Sequence, residues 1–282
     1  MFRKILYTLI ILTGISLLLY PWISNWLYQS QADSEVNVYH EKVEQMGDAE
    51  KETELKRAED YNRNLNQAQV TLTDPFIADQ QKEAEGLEYD SLLNLSGNGM
   101  MGYIEIPAIS VNLPVYHGTA ASTLETGVGH LEGSSLPVGG EGTHSVLTGH
   151  TGLNKAKLFT DLTEVKKGDL FFLHVAGRDM AYEVNEIKII EPEDISTLLI
   201  RPGEDLVTLV TCTPYGVNTH RLCVTGTRTE YTEDIHHAAM EDGGQVKDSI
   251  WMRTYRKAVI VGIALSVSII FGIRLIQKRR RR

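Results

Sequence analysis

Residues 206–227 read LVTLVTCTPYGVNTHRLCVTGT. Leu206 to Thr211 is apolar and β-branched, Pro214 and Gly216 break it, and Thr219 to Thr227 returns to strand-forming residues, so the stretch predicts a strand, a turn and a strand. With residues 213–218 as the loop, Cys212 sits opposite Thr219. The period of two then puts Cys212, Thr219 and Arg221 on one face, with Arg221 a diagonal neighbour of the thiol and His220 on the other face. Cys223 falls four residues past that pairing point, roughly 13 Å along the strand. A disulfide tolerates about 7 Å between Cα atoms, so both cysteines are expected as free thiols.

The texture of this hairpin extends backward to about residue 99. Further short strands are predicted over Tyr103 to Pro107, Val111 to Tyr116, His144 to Thr148, Asp169 to Val175 and Met180 to Ile190, with brief helical inserts near Leu158 to Leu162 and Asp194 to Leu199. Many short strands with turn signals imply a mainly β fold that closes, or nearly closes, into a barrel and exclude a doubly wound sheet. Gly97 to Gly102 matches a dinucleotide-binding string, but a strand and not a helix follows it, so the string is rejected.

Outside this region the composition changes. Of 282 residues, the acidic ones all lie between residues 29 and 252, where 37 acidic residues face 16 basic ones, a net of −21. That argues against a nucleic-acid partner. Ile5 to Tyr28 is uncharged after Arg3 and Lys4, with Trp22, Trp26 and Tyr28 as an interfacial belt, and Ala258 to Phe271, extendable to Ile276, is strongly apolar. Two membrane spans are expected, at 1–28 and 253–276. Arg3-Lys4 and the basic tail at 277–282 orient both termini to the cytoplasm and the middle to the exterior. Val36 to Gln69 reads as helix, broken at Asp74-Pro75-Phe76. The remaining divisions are a helical extension over 29–98, a β domain over 99–232 and a polar stalk over 233–252.

Cys212 leaves a strand into a Pro/Gly turn, where a side chain is both ordered and reachable. A thiol with an unperturbed pKa of about 8.5 needs a base or a cation to act as a nucleophile near neutral pH. His117, His130, His144 and His150 are the candidate bases. His150, between Gly149 and Thr151-Gly152 at a strand end, has a modest edge over His117 and His130. His236 and His237 in the stalk have no spaced Cys or carboxylate partners, so they read as a solvated pair; no metal and no cofactor are expected.

These residues resemble a known family, the sortases, membrane-anchored cysteine transpeptidases of Gram-positive bacteria. Thr208 to Cys212 is similar to the family's TLxTC motif, Arg221 follows where its arginine does, and Thr148 to His150 is similar to its histidine motif. Ile106 to Ile109, Leu113 to Thr119 and Gly129 to Gly133 extend the likeness to roughly residues 70–230. Cys223 and Thr151 depart from the usual pattern without touching the proposed triad.

The second apolar segment, the helical extension and Asp74-Pro75-Phe76 resemble the pilus-assembling class C branch. The resemblance implies a closed β-barrel of about eight strands with short helices, an N-terminal helical extension and two flanking transmembrane helices. It further implies Cys212, His150 and Arg221 as catalytic residues, Thr211 as a helper, and Asp74, Pro75 and Phe76 as a lid. The implied reaction cleaves an LPxTG-like signal between Thr and Gly through a thioacyl enzyme and joins it to a pilin lysine amine, with hydrolysis as a side activity. The implied partners are LPxTG-bearing pilins or surface proteins and the lipid bilayer. Rival readings are a cell-wall-anchoring sortase using a peptidoglycan amine, an L,D-transpeptidase, whose His-Gly-Cys context is absent around Cys212, and a non-enzymatic surface scaffold.

Overall fold

The computed structural model describes residues 2–65, 72–76, 89–153, 156–243 and 249–280. In chain order these form α1 (Phe2–Gln45), α2 (Asp48–Leu65), β1 (Met100–Ile106), β2 (Val111–His117), α3 (Ala121–Thr126), β3 (Val128–His130), β4 (Thr143–Thr148), β5 (Leu170–Val175), β6 (Arg178–Ile190), β7 (Asp205–Thr213), β8 (His220–Thr229), α4 (Glu233–Gly243) and α5 (Ile250–Arg280). The strands close into a barrel in the order β1-β2-β3-β4-β7-β8-β6-β5. Pairing is antiparallel except for β2 with β3 and β4 with β7, which run parallel. Closure leaves no sheet edge to template unwanted pairing.

β7 and most of β8 are buried on both faces, for a physical reason visible in their side chains. Val207, Leu209, Leu222 and Val224 point into one large apolar core that also holds Phe171, Tyr182 and Ile104. Val210 and Cys223 point the other way, into a second cluster with Leu131, Val146, Ile190, Leu198 and Leu72. Leu209 is fully buried, and its truncation to Ala would cost about 2–5 kcal/mol.

The helical extension packs onto this barrel. Leu55, Ala58, Tyr61 and Leu65 of α2 enter the main core. Asn62 bonds the Leu136 backbone in both directions, at 3.1 Å as donor and 2.7 Å as acceptor. Tyr39 of α1 donates to the Met101 carbonyl at 2.8 Å and accepts from the Ala176 amide at 2.9 Å.

The single helix expected over Val36 to Gln69 is two helices. The first ends at Gln45 and the second starts at Asp48, where Asp48 and Glu50 in the first turn favour an N-terminus. Residues 66–69 lie outside the described residues. Three elements were not expected: the three-residue β3, the helix α3, and α4 in place of a featureless stalk at 233–243. Packing fixes α4, since Gly243 lies so close to Pro107 that a Cβ there would sit 2.4 Å from its backbone.

The chain divides into two compact units, Ser24–Val246 and a second made of Met1–Ile23 with Lys247–Arg282. Within the second, Trp22 meets Tyr255 edge to face at 5.8 Å, and its indole N–H points to the Met252 sulfur at 3.2 Å. Among the described residues no helix is long and apolar enough to cross a membrane, whereas the sequence pattern alone placed spans at 1–28 and 253–276.

Candidate active site

Cys212 and Arg221 are direct cross-strand partners in the β7/β8 ladder. The expected register was off by two: β7 runs on to Thr213, which pairs with His220, while β8 starts one residue later than expected, so Thr219 falls in the turn. A shift of two preserves the facing, so Cys212 and Arg221 share a face as the alternation requires. Cys223 pairs with Val210 and both cysteines are free. His220 lies at the strand start, 40% exposed, beside Glu191 at 3.2 Å.

The third member arrives from β4. Its parallel ladder with β7 ends at Thr148 opposite Val210, and the Gly149 amide continues it with a 3.0 Å bond to the Val210 carbonyl. His150 follows two residues past that pair, at the end of β7 that carries Cys212. Thr211 fastens the junction by donating to the Gly149 carbonyl at 2.7 Å, and the Phe159 amide donates to the His150 carbonyl at 3.1 Å. The β7/β8 pair thus sets the thiol beside the guanidinium, and the loop leaving β4 brings the imidazole to the same end of β7, a row of three.

The other candidate bases are committed elsewhere. His117 has both ring nitrogens 2.8 Å from carbonyl oxygens, of Gly99 and Leu92. His130 is fully buried between the Tyr89 hydroxyl and the Ser135 carbonyl, each at 2.9 Å. His144 lies between the Leu199 carbonyl at 2.8 Å and the Thr208 hydroxyl at 2.7 Å.

Residues 72–76 cover this row. Asp74 meets Arg221 through both carboxylate oxygens, and Phe76 lies between the two outer members of the row: its ring is 5.7 Å from the His150 ring and 4.9 Å from the Arg221 guanidinium carbon. Asp74 also accepts from the Phe76 amide at 3.3 Å, which closes the turn around Pro75. Leu72 and Phe76 join the apolar cluster built on Val210, Ile190 and Leu198. The guanidinium is further held by the carbonyls of Asn218 and His220, at 3.2 and 3.1 Å from Nη1.

The electrostatics favour neutral groups under this cover. Burial raises the Cys212 pKa; the Arg221 charge lowers it and the Asp74 charge raises it again. Burial also lowers the His150 pKa, against an opposing pull from Glu125. Cys223, deeper in the wall, is pushed up to about 12, chiefly by burial.

Sequence reasoning missed Phe159, whose ring lies directly over Gly149 and whose amide holds the His150 loop. Its only signal was an aromatic residue at the edge of a brief helical insert. It also missed the carbonyl pair that orients Arg221, for backbone acceptors leave no trace in residue identity.

Comparison with known proteins agrees with this geometry. Residues 104–229 match the sortase domain family. Sortase C-1 of Actinomyces oris superposes with a TM-score of 0.60 at 48% identity, over 64% of this chain and 99% of that one. Sortase C of Streptococcus pneumoniae, in a structure described as bearing on catalysis and pilin substrate specificity, gives a TM-score of 0.62 at 41% identity, over 71% and 98%. Sortase D of Bacillus subtilis (strain 168) is 34% identical over 114 residues, 40% of this chain and 54% of that protein, so the chain spans about half the length of this curated relative.

The chain belongs to the sortase family, and its structural neighbours at these identities set it among the class C sortases.

Proposed function

We propose that the protein is a cysteine transpeptidase that cleaves an LPxTG-like sorting signal between Thr and Gly and transfers the acyl group to a pilin lysine amine. The observation that supports this reading is the cross-strand pairing of Cys212 with Arg221, with the Phe76 ring lying against both Arg221 and His150. The Cys212 thiol gives its proton to His150 as the sulfur attacks the Thr carbonyl carbon, and the carbonyl electron pair moves onto its oxygen. Arg221 donates hydrogen bonds to that oxyanion or to a neighbouring substrate carbonyl, a contribution typically of a few kcal/mol. Collapse expels the glycine amine, which takes a proton from His150, leaving a thioester on Cys212. The incoming lysine amine gives a proton back to His150 as it attacks, and His150 passes it to the departing Cys212 sulfur, so one imidazole serves both half-reactions. Water in place of the amine gives hydrolysis.

Thr211 acts by position, holding the Gly149 carbonyl and hence the histidine loop. Asp74, Pro75 and Phe76 form a lid that must leave before substrate enters, because Asp74 occupies both guanidinium nitrogens that face it. We read the apolar segments at 1–28 and 253–276 as anchors in the cell membrane of a Gram-positive bacterium, with the barrel exoplasmic and the basic tail at 277–282 inside. The Lys and Arg residues flanking both segments, Arg3-Lys4 and Lys278 to Arg282, support that orientation.

The test is mass spectrometry of the full-length chain in detergent with an LPxTG peptide, beside Cys212→Ala and Asp74→Ala forms. A thioacyl adduct on Cys212, missing in Cys212→Ala and increased in Asp74→Ala, is expected. A folded protein that neither acylates nor cleaves the peptide in any form would overturn the assignment.

A further inference from the structure

A second cluster of chemically capable side chains lies away from the triad, where α4 meets the seam between β1 and β5. Glu105 of β1, His174 of β5 and His236 of α4 each offer one ligand atom, all within 4.8 Å of one another. Both imidazoles present Nε2 to the same carboxylate oxygen, Glu105 Oε2, at 3.1 Å from His174 and 2.7 Å from His236. The side chains are only 9%, 13% and 18% exposed for His174, Glu105 and His236. We propose that these three residues bind a divalent metal ion of borderline softness, zinc foremost, and that the ion fastens α4 to the barrel.

Several features separate this cluster from a chance meeting of polar groups. Two imidazoles and one carboxylate are the donor set that suits zinc, with a fourth position left for water. Zinc bonds of 2.0–2.1 Å in a tetrahedron put neighbouring donor atoms roughly 3.3 Å apart. The two separations from Glu105, 3.1 and 2.7 Å, lie below that value and the remaining pair lies within 4.8 Å, so the ion enters with an adjustment of each side chain.

The remaining ring nitrogen of His174 is also provided for. Its Nδ1 lies 2.6 Å from Asp179 Oδ1, an arrangement that fixes the ring and leaves Nε2 aimed at the shared point. Such carboxylate support of a ligating histidine is the usual outer layer of a metal site. Both rings are also held by aromatic neighbours, His174 stacked on Tyr103 at 4.4 Å and His236 against the edge of Phe172 at 4.8 Å.

The cavity beside the cluster holds about 340 Å³, and Glu44, Glu105, Asp179 and Glu233 outnumber Lys51 on its walls. Its charge favours a cation. Each histidine binds as neutral imidazole through Nε2, so any proton on those nitrogens passes to solvent on metal entry. Sequence reasoning left His236 solvated because its partners sit 131 and 62 positions away; only folding makes them a set.

The test uses full-length protein in detergent, stripped with a chelator, in the Cys212→Ala background so that the thiol cannot take up metal. Zinc is titrated by calorimetry, and cobalt(II) is substituted to read its visible d–d absorption. Uptake of one equivalent of zinc is expected, with an intense tetrahedral cobalt band. Affinity should fall at least tenfold in His174→Gln and in His236→Gln, and about tenfold in Asp179→Asn, which touches no metal. Far-UV circular dichroism establishes that each variant is folded. Equal zinc affinity in the parent and both histidine variants overturns the proposal, as does a folded parent with no saturable uptake. Peptide cleavage by the Cys212-containing protein is measured separately, so failure here is distinct from failure of the transpeptidase reading.

Discussion

Asp74 grips Arg221 with both carboxylate oxygens, Nε to Oδ1 at 2.9 Å and Nη2 to Oδ2 at 2.6 Å, and the two side chains are only 3% and 10% exposed. The residue that pairs with Cys212 across the strands is therefore already engaged by the residue that covers it. Two charge-assisted hydrogen bonds are each worth roughly 1.5–3 kcal/mol, so their loss should shift the lid toward open by a large factor. Asp74→Ala is expected to raise the labelling rate of Cys212 by a thiol reagent by about a hundredfold or more at neutral pH. Cys223 is fully buried and its thiol is pushed up to about 12, so the label reports Cys212. An unchanged rate in a Cys223→Ala background would sink the gating idea.

The same relationship sets the pH dependence of the thiol. Burial raises the Cys212 pKa, Arg221 lowers it, and Asp74 raises it again. The thiolate is the reactive form, so alkylation of the wild type should climb only at pH above the ordinary thiol range. Opening the lid lessens the burial and removes the Asp74 charge while Arg221 remains, and both changes move the midpoint down. Rates of iodoacetamide alkylation across pH 6 to 11 check this; a midpoint that stays put or moves up in Asp74→Ala contradicts it.

The legible part of this site was the part built by local pairing. A strand, a Pro/Gly turn and a returning strand told that Cys212 and Arg221 share a face, and only the turn's position was misjudged, since it lies one residue further on and Thr213 pairs with His220. His150 was harder, because a parallel pairing between β4 and β7 is nonlocal and no sequence period announces it. The decision among four histidines came from their hydrogen bonds, which depend on carbonyls of distant residues. Likewise α4 has a polar composition that reads as stalk until it meets Pro107, Glu105 and Phe172.

Arg221 should not tolerate lysine. The planar fork matches the Asp74 carboxylate in the closed state, and its Nη1 is steered by the Asn218 and His220 carbonyls. An ammonium offers one point charge and cannot keep those bonds together. Arg221→Lys is expected to lower kcat/KM for the sorting peptide by about 10²–10³, with kcat carrying most of the loss. A KM effect alone would point to ground-state binding of substrate in place of oxyanion stabilisation.

His130 should make the barrel acid-sensitive. Complete burial pushes its pKa down to about 4, against a bond to the Ser135 carbonyl that favours the charged ring. The unfolded chain takes up this proton below about 6.5 and the folded one only below about 4. Stability is therefore full above the higher value and falls as pH drops through the window, by up to about 3 kcal/mol. Urea unfolding at pH 7, 5.5 and 4.5 should show a shallower acid loss in His130→Asn than in the wild type, whatever the variant's stability at pH 7.

Gly149 offers the sharpest test of how the histidine is placed. A Cβ added there would lie 2.7 Å from the Phe159 ring, closer than real Cβ contacts allow, so either the ring or the histidine loop must move. The ring is fully buried and its own amide holds the His150 carbonyl, so displacing it drags the loop. Gly149→Ala is expected to reduce acylation of Cys212 by about a hundredfold, the scale of a roughly 1 Å misplacement of a catalytic group. Shrinking the obstacle separates this from simple unfolding: Gly149→Ala with Phe159→Leu should recover part of the acylation rate, although Phe159→Leu alone lowers stability. The coupling between the two changes, measured as a double-mutant cycle on acylation, should be positive; two losses that merely add would mean that Phe159 does not set the position of His150.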